Sequence, residues 1–454
     1  MRNFRFDHVL TSGGWLSPGF VSVDDQGIIV DMSNVVPEHV SFEAVPGIAL
    51  PGFQNTHSHA FQYAMAGIAE VHSENSSDDF WSWREAMYQT ALAVNPDQVE
   101  AIATMLYAEM LRNGYTHVVE FHYLHHDQQG RPYSDIAEMG GRLISAARKA
   151  GIGITLVPVF YQQGGFGLPP QERQRRFIQP DIDSYLLLLD QSRRHLSTYE
   201  RATLGMSVHS LRAVRLPDIT RTFEMGPSDI PFHLHLSEQL KEVSDCVQYC
   251  GARPAQWLLE NLPVSPRFNL VHCTHLDDNE LRGIAASGAQ VVLCPSTEGS
   301  LGDGIFRMRE YAGLKGQWTI GTDSHILLNP LEELRMIDYQ QRLLSHQRNT
   351  FSGEAARHMI EMALVAGYRS AGLPQQSSFE IGSRLDAIVY HSQSHLLQTT
   401  SEKHLLSCLV YTADSSKALG TIVQGQWVVQ SGIHRNGHSI KEDFLRAVRA
   451  LDLR

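Results

Sequence analysis

The sequence predicts an α/β protein, composed of a (β/α)8 TIM barrel and a small β-sandwich domain built from both ends of the chain. Between residues 50 and 370, eight short apolar runs alternate with longer amphipathic stretches, which is the pattern of βα units around a parallel sheet. The two ends instead resemble short strands joined by turns. We therefore expect residues 1–50 and 375–454 to form the sandwich and residues 51–374 to form the catalytic barrel.

The terminal β domain is predicted from turn signals between β-rich runs. At the start, VSVDDQGIIVDM (21–32) places Asp24, Asp25 and Gly27 between two such runs. At the far end, Gln424 and Gly425 lie between apolar runs and predict a hairpin turn. The C-terminal strands are predicted in RLDAIVYH (384–391), LVYTA (409–413) and LGTIVQGQWVVQSG (419–432).

The barrel strands are predicted from the eight apolar runs of the middle region. They are residues 49–59, 117–123, 151–160, 202–210, 229–238, 268–275, 290–297 and 318–325. The stretch PDQVEAIATMLYAEMLRNG (96–114) predicts one of the intervening helices, with Gly114 just past its C-terminal end.

Composition and charge exclude several classes of protein. Hydrophobic residues make up 43% of the 454 residues and charged residues 19%, which is globular and not disordered. The net charge of −12 argues against nucleic acid as a partner, since a phosphate backbone calls for a basic surface. No apolar run reaches the ~20 residues of a membrane span, so no membrane partner is expected. With five cysteines and no secretory signal at MRNFRFDHVL, we expect a cytoplasmic protein without disulfides.

Chemically capable side chains cluster at the C-terminal ends of the predicted strands, which is the active-site face of a (β/α)8 barrel. The first run ends in His57-Ser58-His59, where an i, i+2 pair on a strand points both imidazoles to one side. The other runs end in His233-Leu-His235-Leu-Ser-Glu238, in His272-Cys-Thr-His275 and in Gly321-Thr-Asp323-Ser-His325. Of the pair on the fifth run, His235 lies nearer the strand end and is the better ligand, while His233 is expected within the barrel.

Imidazoles and a carboxylate at one barrel rim predict a metal site. Three neutral imidazoles, one carboxylate and an open position for water are typical of a hydrolytic divalent ion, for which Zn²⁺ is the default. Such an ion lowers the pKa of its water towards ~7 and so provides a hydroxide nucleophile at neutral pH. Glu238 and His272 are then placed to move protons and to stabilise a tetrahedral intermediate.

The motifs HSH, HLHLSE, VHCTH and GTDS, in a barrel flanked by a two-ended β domain, resemble the amidohydrolase superfamily and its one-metal aminohydrolase branch. The resemblance implies His57, His59, His235 and Asp323 as ligands of one divalent metal ion. It also implies Asp323, Glu238 and His272 as catalytic residues. Asp323 would accept the water proton, Glu238 would protonate the leaving nitrogen, and His272 would polarise the water. GSRLDAIVYH and VQGQWVVQSG resemble the closing β-domain signatures of the superfamily, although Leu385 stands where Ala is usual.

Longer segments resemble one family within the superfamily, the formimidoylglutamate deiminases. They are HSHAFQYAMAG (57–67), DDFWSWREAMY (78–88), EFHYLHHD (120–127), SVHSLRAV (207–214), HLHLSEQLKEV (233–243) and STEGSLGDGIF (296–306). This resemblance implies hydrolysis of N-formimino-L-glutamate to N-formyl-L-glutamate and ammonia, a reaction of histidine degradation, by attack of a metal-bound hydroxide on the formimino carbon.

A substrate with two carboxylates needs a cation that can form paired hydrogen bonds, and arginine matches that geometry. The resemblance assigns Arg212 to one carboxylate, with His209 beside it. Arg84 and Tyr123 are candidates for the other, and Gln62 follows the metal pair closely enough to hydrogen-bond substrate. Arg84 could instead pair with Glu85 or Asp79, and Tyr123 could belong to the core. No role is assigned to three further histidines, which are expected to be hydrogen-bonded or solvated loop residues: His122, His125 and His126.

Two other readings remain open. One is a different deaminase of the superfamily, for a nucleobase or nucleoside, or a triazine-type chlorohydrolase, which would use aromatic stacking and amide donors. The other is an inactive barrel that serves as a scaffold, which the presence of every ligand and acid–base residue argues against. A homodimer is the base-rate expectation for the oligomeric state.

Overall fold

The computed structural model describes residues 1–36, 38–70, 80–325, 327–348 and 350–451, with residues 80–82 as backbone only. Its strands are β1 (Arg2–Thr11), β2 (Gly14–Leu16), β3 (Gly19–Val23), β4 (Ile29–Ser33), β5 (Glu43–Pro51), β6 (Phe53–Ser58), β7 (Tyr115–His122), β8 (Gly153–Phe160), β9 (Ala202–Leu204), β10 (Met206–Ser210), β11 (Phe232–Leu236), β12 (Phe268–His272), β13 (Gln290–Leu293), β14 (Gln317–Ile320), β15 (Ala387–His391), β16 (Ala418–Val423), β17 (Gln426–Gln430) and β18 (Ile433–His434).

The helices alternate with the strands through the middle of the chain. They are α1 (Phe80–Ala93), α2 (Pro96–Arg112), α3 (Glu138–Ala150), α4 (Ile182–His195), α5 (Leu216–Met225), α6 (Leu240–Cys250), α7 (Pro254–Asn261), α8 (Asp278–Ser287), α9 (Pro295–Leu301), α10 (Met308–Gly313), α11 (Pro330–Ser345), α12 (Ala355–Ser370), α13 (His395–Thr399), α14 (Leu405–Thr412) and α15 (Gly437–Arg449). None of the described helices is long and apolar enough to cross a membrane.

Both ends of the chain contribute to one sheet, in the order β18-β17-β16-β15-β5-β1-β3-β4, with β2 on β1. β5 joins the two ends, since it lies parallel to β1 and antiparallel to β15. The predicted hairpin is confirmed: β16 and β17 are joined by Gln424 and Gly425, with φ of 50° and 66°, as two-residue hairpin turns require. An apolar cluster that includes Phe6 and Val389 lies within this sheet.

The barrel is a parallel sheet in the order β14-β13-β12-β11-β10-β8-β7-β6, with β9 on β8. It closes between its first and last strands, because the backbone amides of Thr322 and Asp323 donate to the carbonyl of His57 at 3.1 and 3.0 Å. Gly321 permits this approach, since a Cβ there would lie 2.7 Å from the Cβ of His57. Closure therefore brings the ends of β6 and β14, where a metal site is predicted, directly together.

Three of the predicted elements differ in detail from the structure. The run 49–59 contains the end of β5 and all of β6, with Gly52 between them, and strand four is divided into β9 and β10. The prediction of a strand at LVYTA (409–413) is wrong, because these residues end helix α14. The buried residues Leu405, Leu406, Leu409 and Val410 have helical spacing, and a short apolar run does not by itself distinguish a buried helix from a strand.

Candidate metal centre and active site

The side chains predicted as metal ligands meet at the C-terminal rim of the barrel. His57 lies in β6 and His59 directly follows it, His235 lies in β11, and Asp323 follows β14. One ligand atom from each of these residues lies within 4.8 Å of the others. The Nε2 atoms of His57 and His235 are 3.0 Å apart, and Asp323 Oδ1 lies 3.1 Å from His59 Nε2. The four predicted ligands therefore lie together at the C-terminal rim of the barrel.

These separations suit a metal ion. Two nitrogens bound about 2.0–2.1 Å from one ion at angles between 90° and 109° lie about 2.8–3.4 Å apart. Burial and the neighbouring imidazoles hold the pKa values of His57 and His235 well below the usual range, so both rings are neutral. Burial opposes ionisation of Asp323, but His59 and His272 outweigh it and lower the pKa of that carboxyl. Neutral imidazoles beside an ionised carboxylate are the donors that divalent transition metals prefer.

Two of the imidazoles are oriented by the backbone. His59 Nδ1 contacts the carbonyl of Phe121 at 2.8 Å, and His235 Nδ1 contacts the carbonyl of His209 at 2.9 Å. A carbonyl only accepts hydrogen bonds, so each Nδ1 carries the proton and each Nε2 presents its lone pair to the centre. This arrangement is the usual outer support of metal-binding histidines.

The predicted acid–base residues lie beside the ligands. Glu238 Oε1 is 3.8 Å from His272 Nε2, which is 3.7 Å from Asp323 Oδ2. All three side chains are buried. Burial disfavours the charged form of His272, but Glu238, Glu298 and Asp323 outweigh it and raise the pKa of His272 to about 10.

The backbone is strained where it presents these groups. Ser237, which precedes Glu238, has a φ of 52°, His272 has 70° and Asp323 has 45°. Non-glycine residues rarely adopt the left-handed region, which costs of order 1–3 kcal/mol each and concentrates at functional sites. The turns at the ends of β11, β12 and β14 are therefore held in place by the surrounding structure.

A cavity beside the ligands contains every residue predicted to bind substrate: Gln62, Arg84, Tyr123, His209 and Arg212. Glu238 and Asp323 line it as well, so the acid–base groups face the same space. Arg84 and Arg212 also line a neighbouring cavity of about 670 Å³. Both arginines are thus placed to meet a ligand that reaches the rim.

The two arginines of this cavity, Arg84 and Arg212, lie against neighbouring side chains of the protein. Arg212 Nη2 is 3.9 Å from Glu238 Oε2, and Glu242 and Glu238 keep the pKa of Arg212 raised although burial opposes this. The Arg84 guanidinium lies 5.3 Å from the centre of the Tyr88 ring, a cation–π distance. Gln62 Nε2 donates to the Tyr123 hydroxyl at 2.8 Å.

The remaining histidines of the motifs have structural partners or lie in the core. His125 and His126 hydrogen-bond the carbonyls of Val159 and Ile178, as expected of residues without a catalytic role. His122 differs from the expected loop residue, because it is the last residue of β7 and is buried against His125. His233 is fully buried within the barrel, as predicted. The alternative partner Asp79 lies outside the described residues.

Sequence reasoning missed several groups around the site. Glu120 accepts hydrogen bonds from Ser58 and from the amide of Ala60, and so holds the turn between the first two ligands. Glu298 contacts His272 Nδ1 at 3.2 Å. Aromatic side chains that were given no role complete the cavity wall: Trp83, Tyr88, Tyr161 and Phe177.

A closed parallel barrel with three imidazoles and a carboxylate at its C-terminal rim defines a metal-dependent hydrolase of the (β/α)8 class. The chain belongs to the amidohydrolase family, since the model of that family matches residues 48–428. It is accordingly a metal-dependent hydrolase that acts on a C–N bond.

Two curated proteins are similar to the chain over most of its length. Formimidoylglutamate deiminase of Pseudomonas aeruginosa is 42% identical over 414 residues, 90% of each chain. The 8-oxoguanine deaminase of the same species is 26% identical over 350 residues, 74% of each chain.

Among solved structures, an amidohydrolase from Brucella melitensis is 36% identical, with a TM-score of 0.91 over 99% of this chain and 100% of that one. An adenosine deaminase from Xanthomonas campestris with bound zinc is 20% identical, with a TM-score of 0.81 over 99% and 98% of the two chains. At that identity the second likeness concerns the fold alone.

Proposed function

We propose that the protein hydrolyses N-formimino-L-glutamate to N-formyl-L-glutamate and ammonia. The observation that carries this proposal is the cavity that has Glu238 and Asp323 in its wall together with two arginines, Arg84 and Arg212. An amidine with two carboxylates matches such a site, because its reacting group is neutral or cationic while its two carboxylates are anionic. The 42% identity to a formimidoylglutamate deiminase supports the same substrate.

The metal proposed for the site is one Zn²⁺ ion, held by His57, His59, His235 and Asp323. Nitrogen-rich ligation with one carboxylate favours zinc over magnesium or calcium, which prefer oxygen. Bound there, a divalent ion lowers the pKa of water and so supplies a nucleophile at neutral pH. The backbone carbonyls that contact Nδ1 of His59 and His235 hold these rings in the orientation in which each Nε2 can bind the ion.

The acid–base steps are assigned to three side chains at the rim. Asp323 accepts a proton of the attacking water, and His272 stabilises the charge that develops as water adds to the formimino carbon. Glu238 delivers a proton to the terminal nitrogen and recovers one from the remaining O–H of the added water as the formyl group forms. The proton held by Asp323 also passes to the terminal nitrogen, which leaves as ammonia. The separations of 3.7 and 3.8 Å from His272 Nε2 to Asp323 and Glu238 support this assignment, because groups this close can act on one substrate carbon.

The carboxylates of the substrate are assigned to the cationic wall of the cavity. Arg212 binds one of them, because its guanidinium lies close to Glu238 and so to the reacting carbon. Arg84 and Tyr123 bind the other, and Gln62 and His209 contribute hydrogen bonds from the same wall. Binding of both carboxylates orients the substrate and keeps its formimino group against the acid–base residues.

Ammonia release from N-formimino-L-glutamate by the metal-loaded protein tests this proposal. The same experiment includes N-carbamoyl-L-glutamate, guanine and adenosine as comparators. We expect fast release from formiminoglutamate alone. Release from guanine or adenosine without release from formiminoglutamate would replace the substrate by a nucleobase or nucleoside, for which the aromatic wall of Tyr88, Tyr161 and Phe177 would be the binding surface.

A further inference from the structure

A carboxylate with no role assigned so far, that of Glu298 on helix α9, also contacts the acid–base residues. Its Oε1 atom lies 3.2 Å from His272 Nδ1, on the opposite side of the ring from the acid–base residues. The whole side chain is buried, with an exposed fraction of 3%. Burial of a carboxylate destabilises the fold unless the group is hydrogen-bonded, so Glu298 requires specific partners at this position.

The position of this carboxylate does not depend on His272. Oε1 also accepts a hydrogen bond from the backbone amide of Cys294 at 2.9 Å, and the amide of Glu298 donates to the carbonyl of Cys294 at the same distance. The backbone of Cys294, at the start of α9, therefore bonds both the carboxylate and the amide of Glu298 and fixes the position of Oε1.

Helix α9 is itself bonded to helix α11 and to the residues that follow β14. The amide and hydroxyl of Ser296 donate to Glu333 at 3.0 and 2.5 Å. The hydroxyl of Thr297 donates to the carbonyl of Thr322 and accepts from the amide of Ser324, the two residues that flank Asp323. Glu298 is thus mounted on the same framework that positions the carboxylate of Asp323.

We propose that Glu298 is a positioning residue for the reaction. Its Oε1 atom accepts a hydrogen bond from Nδ1 of His272 and fixes the plane of that ring, so that Nε2 faces the reacting centre. The ring needs such a guide, because Nε2 has no hydrogen-bond partner among the described residues and His272 itself has a left-handed backbone. A third group that orients a catalytic histidine in this way is a recurrent device of active sites.

This role rests on the proposed function only in that His272 acts on the substrate. The Oε1 atom of Glu298 makes both contacts, with His272 and with the amide of Cys294. Substitutions can therefore test separately the position of this oxygen and the charge of the carboxylate. Glu298→Gln keeps an oxygen at the Oε1 position and loses the charge. Glu298→Asp keeps the charge but is one methylene too short to reach Nδ1, and Glu298→Leu loses both.

The experiment measures kcat, KM, bound metal and the Kd for the product N-formyl-L-glutamate. We expect Glu298→Asp and Glu298→Leu to lower kcat about 100-fold, the lower end of what a positioned acid–base group contributes. KM, metal content and product binding should stay at wild-type values. Glu298→Gln should recover kcat to within about tenfold of wild type, because the orienting hydrogen bond remains.

A matched control is Glu280→Gln. Glu280 is another buried carboxylate near the rim, but it accepts from the amide of Asp277 at 2.8 Å and from Arg253 at 2.9 Å, away from the imidazole. This variant should lose stability and keep kcat. Wild-type kcat in Glu298→Asp, or a loss confined to KM or to metal content, would overturn the positioning role. The proposed function fails separately, if wild-type protein releases no ammonia from formiminoglutamate.

Discussion

At the scale of single residues, Glu238 is not one of the four predicted metal ligands, but its carboxylate lies between His272 and Arg212. Its two oxygens lie 3.8 Å from His272 and 3.9 Å from Arg212. We expect Glu238→Gln to keep one metal ion per chain and to lose at least about 100-fold in kcat, because the amide cannot transfer the proton. Metal analysis and steady-state kinetics on one preparation check this. An unimpaired rate would contradict the assignment of Glu238.

Arg212 is the residue from which we expect the largest effect on substrate binding. Arg212→Met keeps most of the side-chain volume but removes the charge, and a charge-assisted hydrogen bond of about 1.5–3 kcal/mol corresponds to a rise in KM of about 10- to 150-fold. Arg215→Met is the control, because the exposed Arg215 pairs with Asp218 outside the cavity. If KM is unchanged in Arg212→Met, the carboxylate of the substrate is bound elsewhere.

At the scale of secondary-structure elements, the first two ligands depend on the neighbouring strand. The turn after β6 is held by Glu120 of β7, whose two oxygens accept from Ser58 Oγ at 2.5 Å and from the amide of Ala60 at 2.6 Å. These contacts flank His59 on both sides. The geometry of the His57–His59 pair is therefore built by two strands rather than by one motif.

Glu120→Gln should accordingly weaken metal binding. One of its oxygens becomes a donor, so one of the two contacts is lost, and loss of such outer support costs about 10- to 100-fold in metal affinity. Competition with a chelator measures the affinity. Glu100→Gln is the control, since Glu100 is a carboxylate on the outer helix α2 that pairs with Arg142 and Lys149. Equal affinities in the two variants would mean that Glu120 does not support the site.

The strand ends were predictable from the sequence, but their supporting carboxylates were not. His57, His59, His235 and Asp323 stand out because a parallel barrel places the ends of its strands together. Glu120 lies in β7, where all eight residues are buried, so alternation of polar and apolar residues gives no sign of which way its side chain points. The helix at residues 405–412 was missed for a related reason, because the five residues 409–413, taken alone, are too few to distinguish a helix from a strand.

At the scale of the whole molecule, the barrel and the terminal sheet are joined by a buried ion pair. Arg201, just before β9, contacts both carboxylate oxygens of Asp386, at 3.2 and 2.7 Å, and both side chains are almost fully buried. Asp386 also accepts from the amide of Gln424 at 2.7 Å. One carboxylate thus connects the start of a barrel strand to the hairpin of the terminal sheet.

We expect Arg201→Met to reduce the free energy of unfolding by about 3–5 kcal/mol, because it leaves the carboxylate of Asp386 buried without its counter-ion. Thermal unfolding of the metal-loaded protein measures the change as a lower Tm. Arg112→Met is the control, since Arg112 makes a partly exposed i, i+3 ion pair with Glu109 on the outer helix α2. A wild-type Tm in Arg201→Met would mean that the ion pair does not stabilise the junction.

The same pair predicts a pH dependence of stability. Burial opposes ionisation of Asp386, but Arg201 outweighs it and lowers the pKa of that carboxyl below the value of about 3.9 in an unfolded chain. The stabilisation is therefore fully present above the unfolded pKa and is lost as the pH falls through the folded one. The difference in Tm between wild type and Asp386→Asn should be constant from about pH 6 to 8 and should shrink below about pH 4. A constant difference down to pH 3 would contradict this.

A zinc titration tests most directly whether the rim holds one catalytic metal ion. Zn²⁺ is added stepwise to chelator-stripped protein, and the rate of ammonia release from N-formimino-L-glutamate is measured after each addition. The initial rate should rise linearly and level off at one equivalent per chain, and the Asp323→Ala variant should show no such rise. A rate that is independent of added metal, or that levels off only at two equivalents, would contradict a single metal ion at His57, His59, His235 and Asp323.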